Sequence, residues 1–146
     1  DPQPSPDGAM VAFTVSTPSL QDDKATTRIW LASVATGESW ALTDGSGSER
    51  APRWAPDGKT LAFLSSREDG LQLWQSPPRG GNPTRVGHVT DGMADFLWAP
   101  DGKAVYFWTD VSWGDSTEAS RRGGPFPTRA RIANASPVSH PPAVGT

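Results

Sequence analysis

Apolar positions along the chain fall in short runs set off by turn-forming residues. Met10-Val11-Ala12-Phe13, Thr60-Leu61-Ala62-Phe63 and Ala104-Val105-Tyr106-Phe107 each closely follow a Pro-Asp-Gly triplet. Leu71-Gln72-Leu73-Trp74-Gln75 alternates apolar and polar side chains, and no stretch sustains the 3.6-residue period of a helix. Strands with a period of two, joined by tight turns, are the elements this pattern predicts.

The runs recur in a fixed order. Ser5-Pro6-Asp7-Gly8, Ala55-Pro56-Asp57-Gly58 and Ala99-Pro100-Asp101-Gly102 place their Asp residues 50 and 44 positions apart. Trp54 and Trp98 precede the second and third in the same register, where the first has Pro4. Arg28-Ile29-Trp30-Leu31 matches Gln72-Leu73-Trp74-Gln75, and Leu42-Thr43-Asp44-Gly45 matches Val89-Thr90-Asp91-Gly92. Pro sets φ for the first corner of a turn, Asp bonds to the backbone downstream, and Gly takes the positive φ that closes the hairpin. Asp7, Gly8, Asp57, Gly58, Asp101 and Gly102 are therefore read as structural turn residues. Each repeat reads as four short strands: a first at Arg53-Trp54 or Leu97-Trp98, a second at 61–65, a third at 71–75 and a weaker, outer fourth at Thr84-Arg85-Val86. A four-stranded repeat of about 40–50 residues is the signature of a β-propeller blade. The expectation is an all-β chain of antiparallel four-stranded blades in an incomplete ring. Blades are expected at about 1–46, 47–92 and, in part, 93–113. From 114 to 146 a Pro/Gly/Ser-rich tail, linker or insertion is expected, because the repeat is lost. A closed ring takes roughly four to eight blades, so the chain is expected to be a fragment of a longer protein.

Composition sharpens this picture. Gly and Pro number 15 each in 146 residues, as a turn-dense chain requires, and seven Trp supply core bulk. There is no Cys, which removes disulfides, thiolate metal sites and a Cys nucleophile and leaves the compartment open between cytoplasmic and periplasmic or secreted. No apolar run approaches the roughly 18–20 residues of a membrane span. Net charge is −3 and unevenly spread: residues 1–114 hold 9 Lys and Arg against 14 Asp and Glu. An acidic body disfavours a nucleic-acid partner, and the basic residues Arg121, Arg122, Arg129 and Arg131 are read as a solvated segment.

The segment Trp-Ala-Pro-Asp-Gly-Lys-Thr-Leu-Ala-Phe-Leu-Ser-Ser-Arg at 54–67 resembles the WD40-like propeller repeat shared by periplasmic TolB-type propellers and the N-terminal propellers of prolyl oligopeptidase family serine peptidases. The succession of the first blade into Ala51-Pro52-Arg53-Trp54 is similar to the first blades of acylaminoacyl-peptidase-like and dipeptidyl-peptidase-like enzymes. That resemblance covers about residues 1–113. It implies a Ser-Asp-His triad on a C-terminal α/β-hydrolase domain beyond residue 146, with the propeller restricting entry to peptide substrates. The alternative is a segment of a TolB-type propeller that binds protein partners. No substrate-binding residue carries over on a motif match, and no cofactor is implied.

Catalytic chemistry within the chain itself is not expected. A nucleophile elbow needs G-x-S-x-G, since the Ser sits on a sharp turn that excludes bulky neighbours. Gly37-Glu38-Ser39-Trp40-Ala41 lacks the second Gly and falls at a third-to-fourth-strand hairpin; Gly114-Asp115-Ser116 lacks it as well. His88 reads as a surface or inter-strand residue, and His140 is flanked by prolines. The three repeated Asp could be imagined as acid-base or Ca²⁺-binding carboxylates, but a device repeated in every blade reads as structural, and no metal site is expected. Trp54 and Trp98 could line a central channel, and Trp30 and Trp74 recur on the third strand, yet Trp at matched positions reads as packing between blades. Asn134-Ala135-Ser136 fits a glycosylation acceptor, a short pattern that chance supplies often.

Overall fold

A computed structural model describes residues 2–68, 70–90 and 92–109, together with the strand at 129–134, for which the backbone alone is considered. All regular elements among the described residues are strands: β1 (Gln3–Pro4), β2 (Met10–Pro18), β3 (Ala25–Ser33), β4 (Ser39–Ala41), β5 (Glu49–Trp54), β6 (Leu61–Ser65), β7 (Gln72–Ser76), β8 (Thr84–Arg85), β9 (Asp95–Trp98), β10 (Ala104–Thr109) and β11 (Arg129–Asn134). They form three antiparallel sheets in the orders β1-β2-β3-β4, β5-β6-β7-β8 and β9-β10-β11. Each sheet is a blade of an open propeller arc.

The Pro-Asp-Gly turns are built alike in all three blades. The N–H groups of Gly8, Gly58 and Gly102 donate to the carbonyls of Ser5, Ala55 and Ala99, each at 2.9 Å. The three glycines sit at φ of 71°, 72° and 71°. Asp7, Asp57 and Asp101 accept the N–H two residues ahead, from Ala9, Lys59 and Lys103, at 3.0, 2.9 and 2.9 Å. A Cβ on Gly58 would lie 3.5 Å from Pro6 Cδ, and one on Gly102 would lie 3.5 Å from Pro56 Cδ. Successive turns therefore stack in a column along one rim, the proline of each over the glycine of the next. Gly58→Val should cost more than Asp57→Ala. The first forces a β-branched residue to positive φ, at roughly 1 kcal/mol or more, while the second removes one exposed hydrogen bond worth about 0.5–1.5 kcal/mol. Urea unfolding of both variants checks the order, and a costlier Asp57→Ala would give that carboxylate a role beyond the turn.

The sheets pack face to face on two cores. Ala12, Ile29, Leu31, Leu42, Trp54, Leu61, Phe63 and Trp74 fill the first, between blades 1 and 2. Ala62, Leu64, Leu73, Val86, Met93, Phe96, Val105 and Phe107 fill the second, between blades 2 and 3. Alternation with period two explains how one strand serves both: Leu61 and Phe63 point one way and Ala62 and Leu64 the other. Every residue of β6 and β7 is buried in consequence, whereas β2 and β10 mix buried with exposed positions. This is why Leu61-Ala62-Phe63-Leu64 reads as a continuous apolar run, as strands covered on both faces do.

The β2–β3 hairpin of blade 1 is longer than its counterpart in blade 2, pairing from Met10↔Ser33 to Pro18↔Ala25, nine residues a side against five for β6 and β7. One feature differs from the sequence expectation. Arg129–Asn134, in the stretch read from sequence as tail, pairs along the whole of β10 from Ala104↔Asn134 to Thr109↔Arg129. It supplies the third strand of the third blade.

Candidate functional site

In a propeller the blades stand around a central channel. The first strands of the three blades touch across the blade boundaries, β1 against β5 and β5 against β9, which makes them the channel-side strands. A cleft of about 290 Å³ opens among them, lined by Gln3, Thr14, Arg50, Ala51, Pro52, Arg53, Ala94 and Asp95.

The shape of β5 sets the chemistry of this cleft. Its register against β6 runs Glu49↔Ser65, Arg50↔Leu64, then Arg53↔Ala62, three steps on one strand against two on the other. One extra residue is a β-bulge. Residues three apart on a regular strand point to opposite faces, and the bulge restores the parity, so Arg50 and Arg53 both turn towards blade 3. Arg50 Nη2 donates to Ala94 O at 3.3 Å. Arg53 Nη2 reaches Asp95 Oδ1 and Oδ2 at 3.0 and 3.2 Å, and its guanidinium lies 5.6 Å from the centroid of the Phe96 ring. The bulge holds Ala51 at φ 54°, a left-handed conformation that strains a non-glycine residue. Among the described residues the lining has no histidine to activate a hydroxyl. Its means of acting on a ligand are charge and hydrogen bonding.

Behind the cleft, the first residue of β5 anchors a buried ion pair. Glu49 is fully buried and Oε1 accepts from Arg67 Nη2 and, at 3.4 Å, from Ser65 Oγ. Arg67 lies 4.9 Å over the Trp74 ring and 6.0 Å from that of Phe63. Glu49 N donates to Thr27 Oγ1 of blade 1 at 2.7 Å. The pair thus ties the start of blade 2 to both the blade before it and its own second hairpin.

The residues singled out from sequence lie elsewhere. Trp54 Nε1 donates to Gln3 O at 2.9 Å and Trp98 Nε1 to Arg53 O at 3.1 Å. Gln3 and Arg53 occupy the same repeat position, so each tryptophan clasps the preceding blade in the same way. Trp74 is buried in the first core, and Trp30 is half-buried on β3. Asp7, Asp57 and Asp101 sit together with Gly8, Gly58 and Gly102 in the rim turns, outside the lining of the cleft. Hydrogen bonds from the Ser5 hydroxyl, at 2.6 Å, and then the Ala9 N–H hold the exposed Asp7 carboxyl below the usual carboxylate range. With the folded value below the unfolded one, this clasp favours folding above the ordinary Asp value of about 3.9 and is lost as pH falls through the lower folded value. Ser5→Ala should move the Asp7 midpoint upward in an NMR titration of the side-chain carboxyl; an unmoved midpoint would show that the hydroxyl is not the cause. Ser39 opens β4 opposite Ala32, just after a turn in which Gly37 N donates to Ser33 O, with no strand-to-helix bend. His88 is exposed between β8 and β9. Ser116, His140, Ala135 and Ser136 lie outside the described residues, while Asn134 ends β11. Among the described residues no three His, Asp or Glu gather where they could hold a metal ion. No helix among them is long and apolar enough to cross a membrane.

Sequence reasoning did not single out Arg50, Arg53, Asp95, Glu49 or Arg67. The one available signal was Ala51-Pro52 directly before Arg53-Trp54, because proline within a strand marks an edge or a bulge.

No protein-family model matches the chain. It is 36% identical over 119 residues to the uncharacterized peptidase YuxL of Bacillus subtilis, a match covering 81% of this chain and 18% of that protein. Identity is also 36% over 107 residues to dipeptidyl-peptidase 5 of Porphyromonas endodontalis, covering 73% of this chain and 16% of the relative. The chain thus spans less than a fifth of either relative. Among solved structures, a putative TolB from Agrobacterium tumefaciens superposes with a TM-score of 0.60 at 28% identity, covering 73% of this chain and 36% of that one. The acylaminoacyl peptidase of Pyrococcus horikoshii superposes with a TM-score of 0.64 at 20% identity, covering 80% of this chain and 18% of that one.

Proposed function

We propose, for a β-propeller segment whose homologues are peptidases, that it is the non-catalytic N-terminal propeller portion of a prolyl oligopeptidase family serine peptidase. In the full-length protein it restricts peptide access to a catalytic α/β-hydrolase domain that these 146 residues do not contain. The observation carrying this reading is the 36% identity to a peptidase over 81% of the chain. The open arc, with its first strands bordering a charged cleft, suits a wall past which a peptide travels. A TolB-type propeller that binds protein partners is the second reading, favoured by the 28% identity to a TolB protein.

The two readings part at the nucleophile. The peptidase reading requires G-x-S-x-G downstream of Thr146, followed by Asp and His. The full-length protein should then react stoichiometrically with a fluorophosphonate probe, and residues 1–146 alone should not, at Ser39, Ser116 or elsewhere. Full-length protein that stays unlabelled and hydrolyses no peptide would favour the TolB-type reading. Labelling of the isolated chain would place a nucleophile within it.

A further inference from the structure

The cleft at the β5 bulge holds more positive charge than its own structure uses. Arg53 is neutralised by both oxygens of Asp95. Arg50 is exposed, and no carboxylate among the described residues lies within ion-pair distance of it. Its Nη2 donates to Ala94 O, which fixes the guanidinium over the cleft while the planar fork keeps further N–H donors. The bulge that brings Arg50 onto the same face as Arg53 is maintained at the expense of a left-handed alanine. A strained residue at a cavity wall, beside a cation with no carboxylate partner among the described residues, is an arrangement found at ligand sites.

We infer that the cleft is a carboxylate-binding subsite on the channel side of the propeller, with Arg50 as the contacting residue and the Arg53–Asp95 pair as its positioning support. The recognised group is a carboxylate on a peptide, either the free C-terminus or an acidic side chain. A bidentate guanidinium–carboxylate contact in a partly enclosed cleft gives both affinity and orientation. The inference rests on the reading that peptides travel past these strands. A peptide held here by its carboxylate would have its direction along the channel fixed before it met a nucleophile.

The test uses full-length protein treated with fluorophosphonate, so that binding is read without turnover. Calorimetry compares a neutral hexapeptide with a free C-terminus against its C-terminal amide, and an amidated hexapeptide with one Glu against its Gln analogue. The carboxylate member of at least one pair should bind about tenfold tighter at low salt, the size of a charge-assisted contact. The pair that shows the difference identifies the source of the carboxylate. Arg50→Gln should bring that ratio close to one with an unchanged melting temperature, because the side chain is exposed. Arg50→Lys should keep part of the ratio, and 0.5 M salt should compress it. A wild-type ratio of one for both pairs, or the same ratio in Arg50→Gln as in wild type, would overturn the subsite. Turnover by untreated protein is scored separately. Hydrolysis without carboxylate preference removes this inference alone, and preference without hydrolysis removes only the peptidase reading.

Discussion

Arg67→Met should destabilise the propeller by about 3–5 kcal/mol, the range found when one partner of a buried ion pair is removed. The side chain of Glu49 is fully buried and that of Arg67 only 11% exposed. A methionine would keep much of the contact that the Arg67 stem makes with Trp74 and Phe63 but could not answer the carboxylate. Ser65 Oγ would remain beside Glu49 Oε1 at 3.4 Å, too weak a donor to offset a buried charge. The double variant Glu49→Gln/Arg67→Met should recover most of the loss, because a buried pair replaced as a whole is often neutral. Urea unfolding followed by tryptophan fluorescence, applied to both single variants and the double, gives the coupling directly. Additive single effects, or an Arg67→Met loss below about 1 kcal/mol, would mean that the pair is open to water.

The turns and strands of blades 1 and 2 could be read from the chain because their causes are local. Pro-Asp-Gly encodes its turn within three residues, and alternation encodes which face of a strand is buried. The extended run Leu61-Ala62-Phe63-Leu64 carried its meaning only once two flanking sheets were known, each taking alternate side chains. β11 was invisible for a different reason. Arg129-Ala130-Arg131-Ile132 has neither the aromatic landmark of Trp30 and Trp74 nor a turn signal tying it to β10, and register alone joins Ala104 to Asn134. The cleft was hidden for a third reason. Arg50 and Arg53 meet Ala94 and Asp95, 44 and 42 residues away in sequence. Such contacts depend on how one blade seats against the next, and the bulge that aims both arginines depends on backbone register, which a period-two reading assumes to be unbroken.

Seating between blades also sets the second large effect expected. Trp54→Ala should cost about 3–5 kcal/mol, as the loss of a buried large aromatic side chain does. Trp54 belongs to the core shared by blades 1 and 2, and its indole N–H reaches back to Gln3 O. Trp54→Phe keeps an aromatic ring and drops that bond, so it separates the two contributions; its loss should be nearer 1 kcal/mol, the net worth of a hydrogen bond. Hydrogen exchange gives the location. In Trp54→Ala the amides of β1 and β2 should lose protection together, while those of β9 and β10, which face the second core, keep theirs relative to global unfolding. Trp98→Ala should cost less than Trp54→Ala, because Trp98 makes the equivalent bond to Arg53 O but is only half-buried. Equal losses for Trp54→Phe and Trp54→Ala would mean that the inter-blade bond, and not the packed ring, holds the two blades together. The repeated tryptophan would then act chiefly as a hydrogen-bond donor placed once per blade.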